Sequence, residues 1–170
     1  MLSKKVNYKP FIMTLTFIRF TNLILAALLA GTSFGIWMGL NPNNYSPTTY
    51  LEQQQQLVQS LNTLMVSLVI AATVVTITSA FLQRNNKTVF ITLLIASVFF
   101  ASCIFISRFG NLPIQTEMLN WKTDSLPANW TSFRDKWWTL HIMRTVAELI
   151  ALTLVAWTAS KTALNSSHEK

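Results

Sequence analysis

The chain has 170 residues, 51% of them hydrophobic and 11% charged, where soluble domains carry about 25% charged residues. With a mean hydropathy of +0.39, this excludes an ordinary water-soluble domain and points to one integral membrane domain with little mass outside the bilayer. The net charge of +7 comes from Lys and Arg scattered at the ends of apolar segments, a topology signal with no nucleic-acid footprint, and the single Cys103 excludes an intrachain disulfide and suggests no metal cluster.

The expected fold class is all-α, a four-helix transmembrane bundle with a long structured outer loop between the third and fourth helices. Its spans are about 15–40, 61–82, 89–106 and 137–160, close to the ~20 residues a hydrocarbon core requires. Before the first span stand Lys4, Lys5 and Lys9, which resemble the basic region of a signal peptide. Arg19 and Asn22 interrupt the apolar run that a cleaved signal needs, and the run continues to Leu40, so the segment reads as a retained helix. Arg19 reads as a topology anchor whose stem snorkels to the inner face. Ala27, Gly31, Gly35 and Gly39 recur every four residues, a spacing that lets another helix approach closely. The sharper reading has Gly35 and Thr32 leaving space beside Arg144 for a flat ligand.

The first outer loop carries the turn sequence NPNNYSPTT, and Thr49 with Glu52 matches a capping box. A helix starting near Tyr50 and running to Leu82 would project two to three turns above the bilayer, with Gln53–Gln56 as a solvated extension. QRNNKT then makes a tight hairpin, so the second and third helices are expected to be antiparallel neighbours. Phe99, Phe100 and Cys103 on the third helix read as packing or lipid contacts. The loop 108–136 is long for a small domain, which marks it as functional or partly structured. Ile114, Met118, Leu119 and Trp121 would form one face of a short interfacial helix there.

The fourth span opens with WWTLHIMRTVAE, which places Trp137, His141, Arg144 and Glu148 on one helical face. Ionisable groups inside a span are expensive and tend to mark function. Counted from Trp137, Glu148 lies about 16 Å deep, near the level of Ala30. His141 reads either as a general base or as a helix-start histidine bonded to loop carbonyls. Arg144 and Glu148, at i and i+4, are either a structural ion pair or part of a site. A haem-ligand reading is weak, because no second histidine falls in a span.

Charge asymmetry sets the expected orientation. Lys4, Lys5, Lys9, Arg19, Arg84, Lys87, Lys161 and Lys170 fall on one side, against Arg108, Lys122, Arg134 and Lys136 on the other. The positive-inside rule then makes both termini cytoplasmic, with five tryptophans (37, 121, 130, 137 and 138) near the outer interface.

The order FGNLPIQTEMLNW, LPANW and RDKWWTLHIMRT, together with AGTSFGIWMGLNP in the first span, resembles a family of small four-span proteins that includes the fungal anthrone oxygenases. Most of that family is bacterial, so the resemblance implies an inner-membrane location. It also implies a cofactor-independent oxygenase acting on an aromatic or quinol-like hydrophobic substrate at the outer face. His141 would be the general base, Arg144 the oxyanion stabiliser and Glu148 the group that holds the guanidinium. Asn111 and Gln115 would orient a substrate carbonyl, with Trp121, Trp130, Arg134, Trp137 and Gly35 lining the pocket. Family members often carry Asn where this chain has Gln115, a departure that displaces the amide by one methylene. The alternative is a non-catalytic protein that binds a lipid or quinone, or a scaffold. A transporter is disfavoured, since there is no internal repeat and the buried charges sit on one helix. The expected partners are membrane lipids and a hydrophobic aromatic ligand.

Overall fold

The computed structural model describes residues 9–168, with side chains for 12–161. Lys4, Lys5 and Lys170 of the charge count lie outside the described residues. Five α-helices follow in chain order: α1 (Lys9–Gly39), α2 (Pro47–Leu82), α3 (Lys87–Ile106), α4 (Leu112–Leu119) and α5 (Trp130–His168). Among the described residues there is no strand, only an isolated bridge between Lys122 and Ser125. α1, α2, α3 and α5 form a four-helix ring in which α2 and α3 are neighbours, as are α3 and α5, α5 and α1, and α1 and α2. Each of the four is long and apolar enough to cross a membrane. Their outward faces carry Phe17, Phe20, Met38, Val98 and Phe105, all well over half exposed. Apolar patches of that extent are rare on soluble monomers and fit a lipid-facing surface.

The helices differ in length, and that difference builds the site. α3, with 20 residues, rises about 30 Å, one hydrocarbon thickness. α2, with 36 residues, rises about 54 Å, so its first half stands beyond the end of α3. α2 and α3 meet through only residues 83–86, with Asn86 capping α3 by accepting from the Val89 N–H. We call this the turn end of the bundle and the opposite one the cap end.

At the cap end α3 passes directly into a π-helical segment, Ser107–Asn111, and then into α4. The wider turn shifts the helical register, and α4 continues from it beside the extended part of α2. Two buried apolar clusters result. One fills the ring, including Leu29, Met65, Val69, Leu93, Phe100, Ala151 and Val155. The other fills the cap, with Tyr50, Leu51, Ile114, Met118, Trp121 and Trp137. As expected, the loop 108–136 holds a short helix, which buries Ile114 and Met118; Trp121 is buried just past its end, while Leu119 faces out.

Three local expectations are corrected. α2 begins at Pro47, not near Tyr50: Ser46 is the N-cap, accepting from the Thr49 N–H, and Pro47 supplies the fixed φ suited to a first turn. Glu52 is exposed and closes no capping box. The glutamine run is not a solvated extension either. Gln54 is buried, and the Gln55 amide donates to the carbonyls of Met118 and Trp121, satisfying the end of α4. The glycine stripe does not pack against another helix. Gly31, Gly35 and Gly39 face outward, and a Cβ at any of them would meet nothing within 4 Å. Ala26, Ala30 and Ser33, one helical step round, face the interior instead.

Candidate functional site

His141, Arg144 and Glu148 meet where the two apolar clusters adjoin. His141 and Glu148 are fully buried, and Arg144 keeps 15% of its side chain exposed. Their helix is continuous from Trp130, so His141 sits about three turns inside it rather than at its start. Two contacts set its level against α3. The Cys103 thiol approaches the Arg144 carbonyl at 3.6 Å, and the Arg144 Nη1 donates to Ser107 Oγ at 3.1 Å. Arg144 therefore lies only about 5 Å in from the end of α3, and Glu148 about 11 Å. The expected match between Glu148 and Ala30 is close, since Leu29 and Glu148 line one cavity.

His141 is held on three sides. Its ring stacks on Trp137, with centroids 5.2 Å apart and planes within 5°, and Trp138 lies on a similar course at 5.6 Å. Nε2 stands 3.2 Å from the Ser33 carbonyl and Nδ1 stands 3.4 Å from Arg144 Nη2. A carbonyl only accepts and a guanidinium only donates. This pairing therefore places the proton on Nε2 and leaves the Nδ1 lone pair facing Arg144. Arg144 in turn approaches Glu148 at 3.4 Å through Nε, close enough for attraction but not aligned as a hydrogen bond.

Two small cavities adjoin this group. One, of about 20 Å³, is bordered by Leu29, Asn62, Met65, Ser107, Asn111, Gln115, Arg144 and Glu148. The other, of about 40 Å³, is bordered by Ile36, Leu57, Leu61, Asn62, Gln115, Trp137, His141 and Arg144. Each has room for a water or a few, since one water needs roughly 10–15 Å³ by this measure. Several buried polar atoms here have no hydrogen-bond partner among the described residues: both Glu148 carboxylate oxygens, Asn111 Oδ1, Ser33 Oγ and Trp137 Nε1. Buried polar groups are nearly always paired, so such a concentration singles out the region.

The structure brings together His141, Arg144, Glu148, Asn111, Gln115 and Trp137, as the sequence leads one to expect. Asn111 sits in the π-segment and its amide donates to the Trp137 carbonyl at 3.3 Å, tying α3 to α5. The other expected residues are elsewhere. Trp121 packs edge-on against Phe133 at 5.3 Å, Trp130 lies against Tyr50 at 5.5 Å, and both belong to the cap's apolar cluster. Arg134 covers Trp130 and pairs with Asp135 at 2.8 Å. Gly35 is on the outward face of α1, so it leaves no space beside Arg144. Conversely, Asn62, Ser33 and Ser107 belong to the site unannounced. Asn62 had a readable signal, being an amide three and seven residues before the core positions Met65 and Val69 on one face of α2.

Among the described residues no three His, Cys, Asp or Glu side chains gather as a metal site would require. Compared with known families, residues 55–154, more than half the chain, match the family described as anthrone oxygenase. The match takes in Asn62, the π-segment, α4 and the whole His141–Arg144–Glu148 stripe. No curated protein and no solved structure matches.

Proposed function

The chain belongs to the anthrone oxygenase family, and we propose that it is a membrane oxygenase using no cofactor, acting on an aromatic or quinol-like hydrophobic substrate at the cap end of the bundle. The observation that carries this reading is the buried His141–Arg144–Glu148 group bordering cavities lined by the amides of Asn62, Asn111 and Gln115. Oxidation of an activated ring methylene starts with loss of a C–H proton to a base. His141 Nδ1 takes that proton, while Nε2–H stays on the Ser33 carbonyl and keeps the ring in place. Arg144 leaves Nδ1 for the oxyanion that develops on the substrate, and Ser107 and Glu148 steady the guanidinium. The electron-rich carbon then adds dioxygen, forming a carbon–oxygen bond and, with the returned proton, a hydroperoxide. Loss of water from that hydroperoxide leaves the new carbonyl, so one CH₂ and one O₂ become one C=O and one H₂O.

Cavities of about 20 and 40 Å³ are far below the roughly 300 Å³ of an ordinary ligand pocket. A ring system therefore enters only if the lining parts, and Ile36 on α1 with Leu57 and Leu61 on α2, all half-buried, are the side chains to separate. The same small volumes favour a second reading, in which Arg144 and Glu148 lock the bundle and no turnover occurs. Dioxygen uptake by the purified protein with an anthrone-like substrate decides between them. The oxygenase consumes one O₂ per carbonyl formed; uptake no faster than in protein-free detergent would leave the locking reading.

A further inference from the structure

A second polar cluster lies at the turn end, remote from the stripe. Arg19 on α1 reaches across to Gln83, the residue just past the end of α2, and donates to its Oε1 through both Nε, at 2.9 Å, and Nη2, at 2.6 Å. Gln83 is itself fixed, its amide donating to the carbonyl and the hydroxyl of Ser79. This bonding uses the Nε–Nη2 edge of the guanidinium and leaves the Nη1 side of the fork with no partner among the described residues. The partner it does have is neutral, so the full positive charge remains. No carboxylate is near: among the described residues Glu52, Glu117, Asp124, Asp135 and Glu148 all lie in the cap or the stripe. Arg84, Lys87 and Lys161 add further positive charge at the same end.

A half-buried cation without a counter-charge is costly in a low-dielectric surrounding. Gln83 follows the last residue of α2 and α3 starts at Lys87, so Arg19 stands level with the α2–α3 turn, at the end of a helix about one hydrocarbon thickness long. We propose that the free edge of Arg19 is a receptor for the phosphodiester of an anionic phospholipid. Two phosphate oxygens match the guanidinium fork, a bidentate pairing that a lysine ammonium does not reproduce. Pinning by Gln83 lowers the ordering cost of binding. The uncompensated charge of Arg19 favours a headgroup of net negative charge over one that brings its own cation against the guanidinium.

The test uses the full-length protein in detergent, titrated with phosphatidylglycerol, phosphatidylcholine or inorganic phosphate and followed by native mass spectrometry and thermal unfolding. Phosphatidylglycerol is expected to bind at least about tenfold tighter than phosphatidylcholine, and Arg19→Gln is expected to remove that preference while Lys161→Gln keeps most of it. Should Arg19→Gln fail to fold, Gln83→Glu supplies an internal counter-charge and is expected to fold yet lose the preference. Retention of the preference in either Arg19→Gln or Gln83→Glu would overturn the proposal, as would equal stabilisation by inorganic phosphate, which would make the ligand a free anion and not a lipid.

Discussion

Glu148 places two buried carboxylate oxygens against a single guanidinium, and neither side of that contact is complete without the other. Removing one member leaves an uncompensated charge in the bundle, which costs about 3–5 kcal/mol. Arg144→Met and Glu148→Leu are therefore each expected to lower the thermal unfolding midpoint strongly, and the double variant is expected to recover most of the loss. A double variant no more stable than the singles would mean that the pair does not act as a unit. The stripe was legible because 137, 141, 144 and 148 share a helical face whatever surrounds them. Its partners were not. Ser33 contributes a backbone carbonyl, Ser107 a hydroxyl in a π-turn, and hydropathy carries no signal for either.

α4 depends on α2 through few polar ties, chiefly the Gln55 amide bridging the Met118 and Trp121 carbonyls. Gln55→Ala leaves the Trp121 carbonyl without that partner, while the Met118 carbonyl keeps the Trp121 N–H, at a cost of about 1–3 kcal/mol. The expected result is faster hydrogen exchange across 112–121 with the transmembrane helices unchanged; uniform exchange would show that apolar packing alone holds α4. On α1 the expectation runs the other way. Gly35→Leu adds a side chain to open space, so the unfolding free energy of the monomer is expected to change by no more than about 0.5 kcal/mol, the range of surface changes. A loss of about 1–3 kcal/mol, typical of overpacking, would mean that another helix does meet that face. Spacing showed that these glycines are in line but not where the line points. The four spans themselves were plain from apolar run length. The extension of α2 above the bilayer was legible as well, from the turn sequence that precedes Tyr50, but that of α5 back to Trp130 was not, because polar helix and polar loop read alike.

At the scale of the whole molecule, the bundle has a strongly basic turn end and a cap end that holds every described carboxylate outside the stripe. From the Lys and Arg count of the whole sequence, we propose that the cap faces outside and both termini lie in the cytoplasm. Single cysteines at Asn43 or Ser125 are expected to react with an impermeant maleimide in intact cells, and one at Asn85 only after lysis; the opposite pattern would invert the orientation. On the proposed reading, the charged layer between the two apolar clusters is a reactive site that a lipid-soluble ring system and dissolved dioxygen reach without crossing the bilayer. That this layer is reactive, and not merely a lock, rests on the exposed role of one lone pair, the Nδ1 of His141. Dioxygen uptake with an anthrone-like substrate, measured for wild type and His141→Ala beside their thermal unfolding, tests it most directly. The account predicts a His141→Ala protein that folds and has lost turnover by about 10²–10⁴-fold, the range for a general base. Undiminished uptake by a folded His141→Ala protein would contradict it.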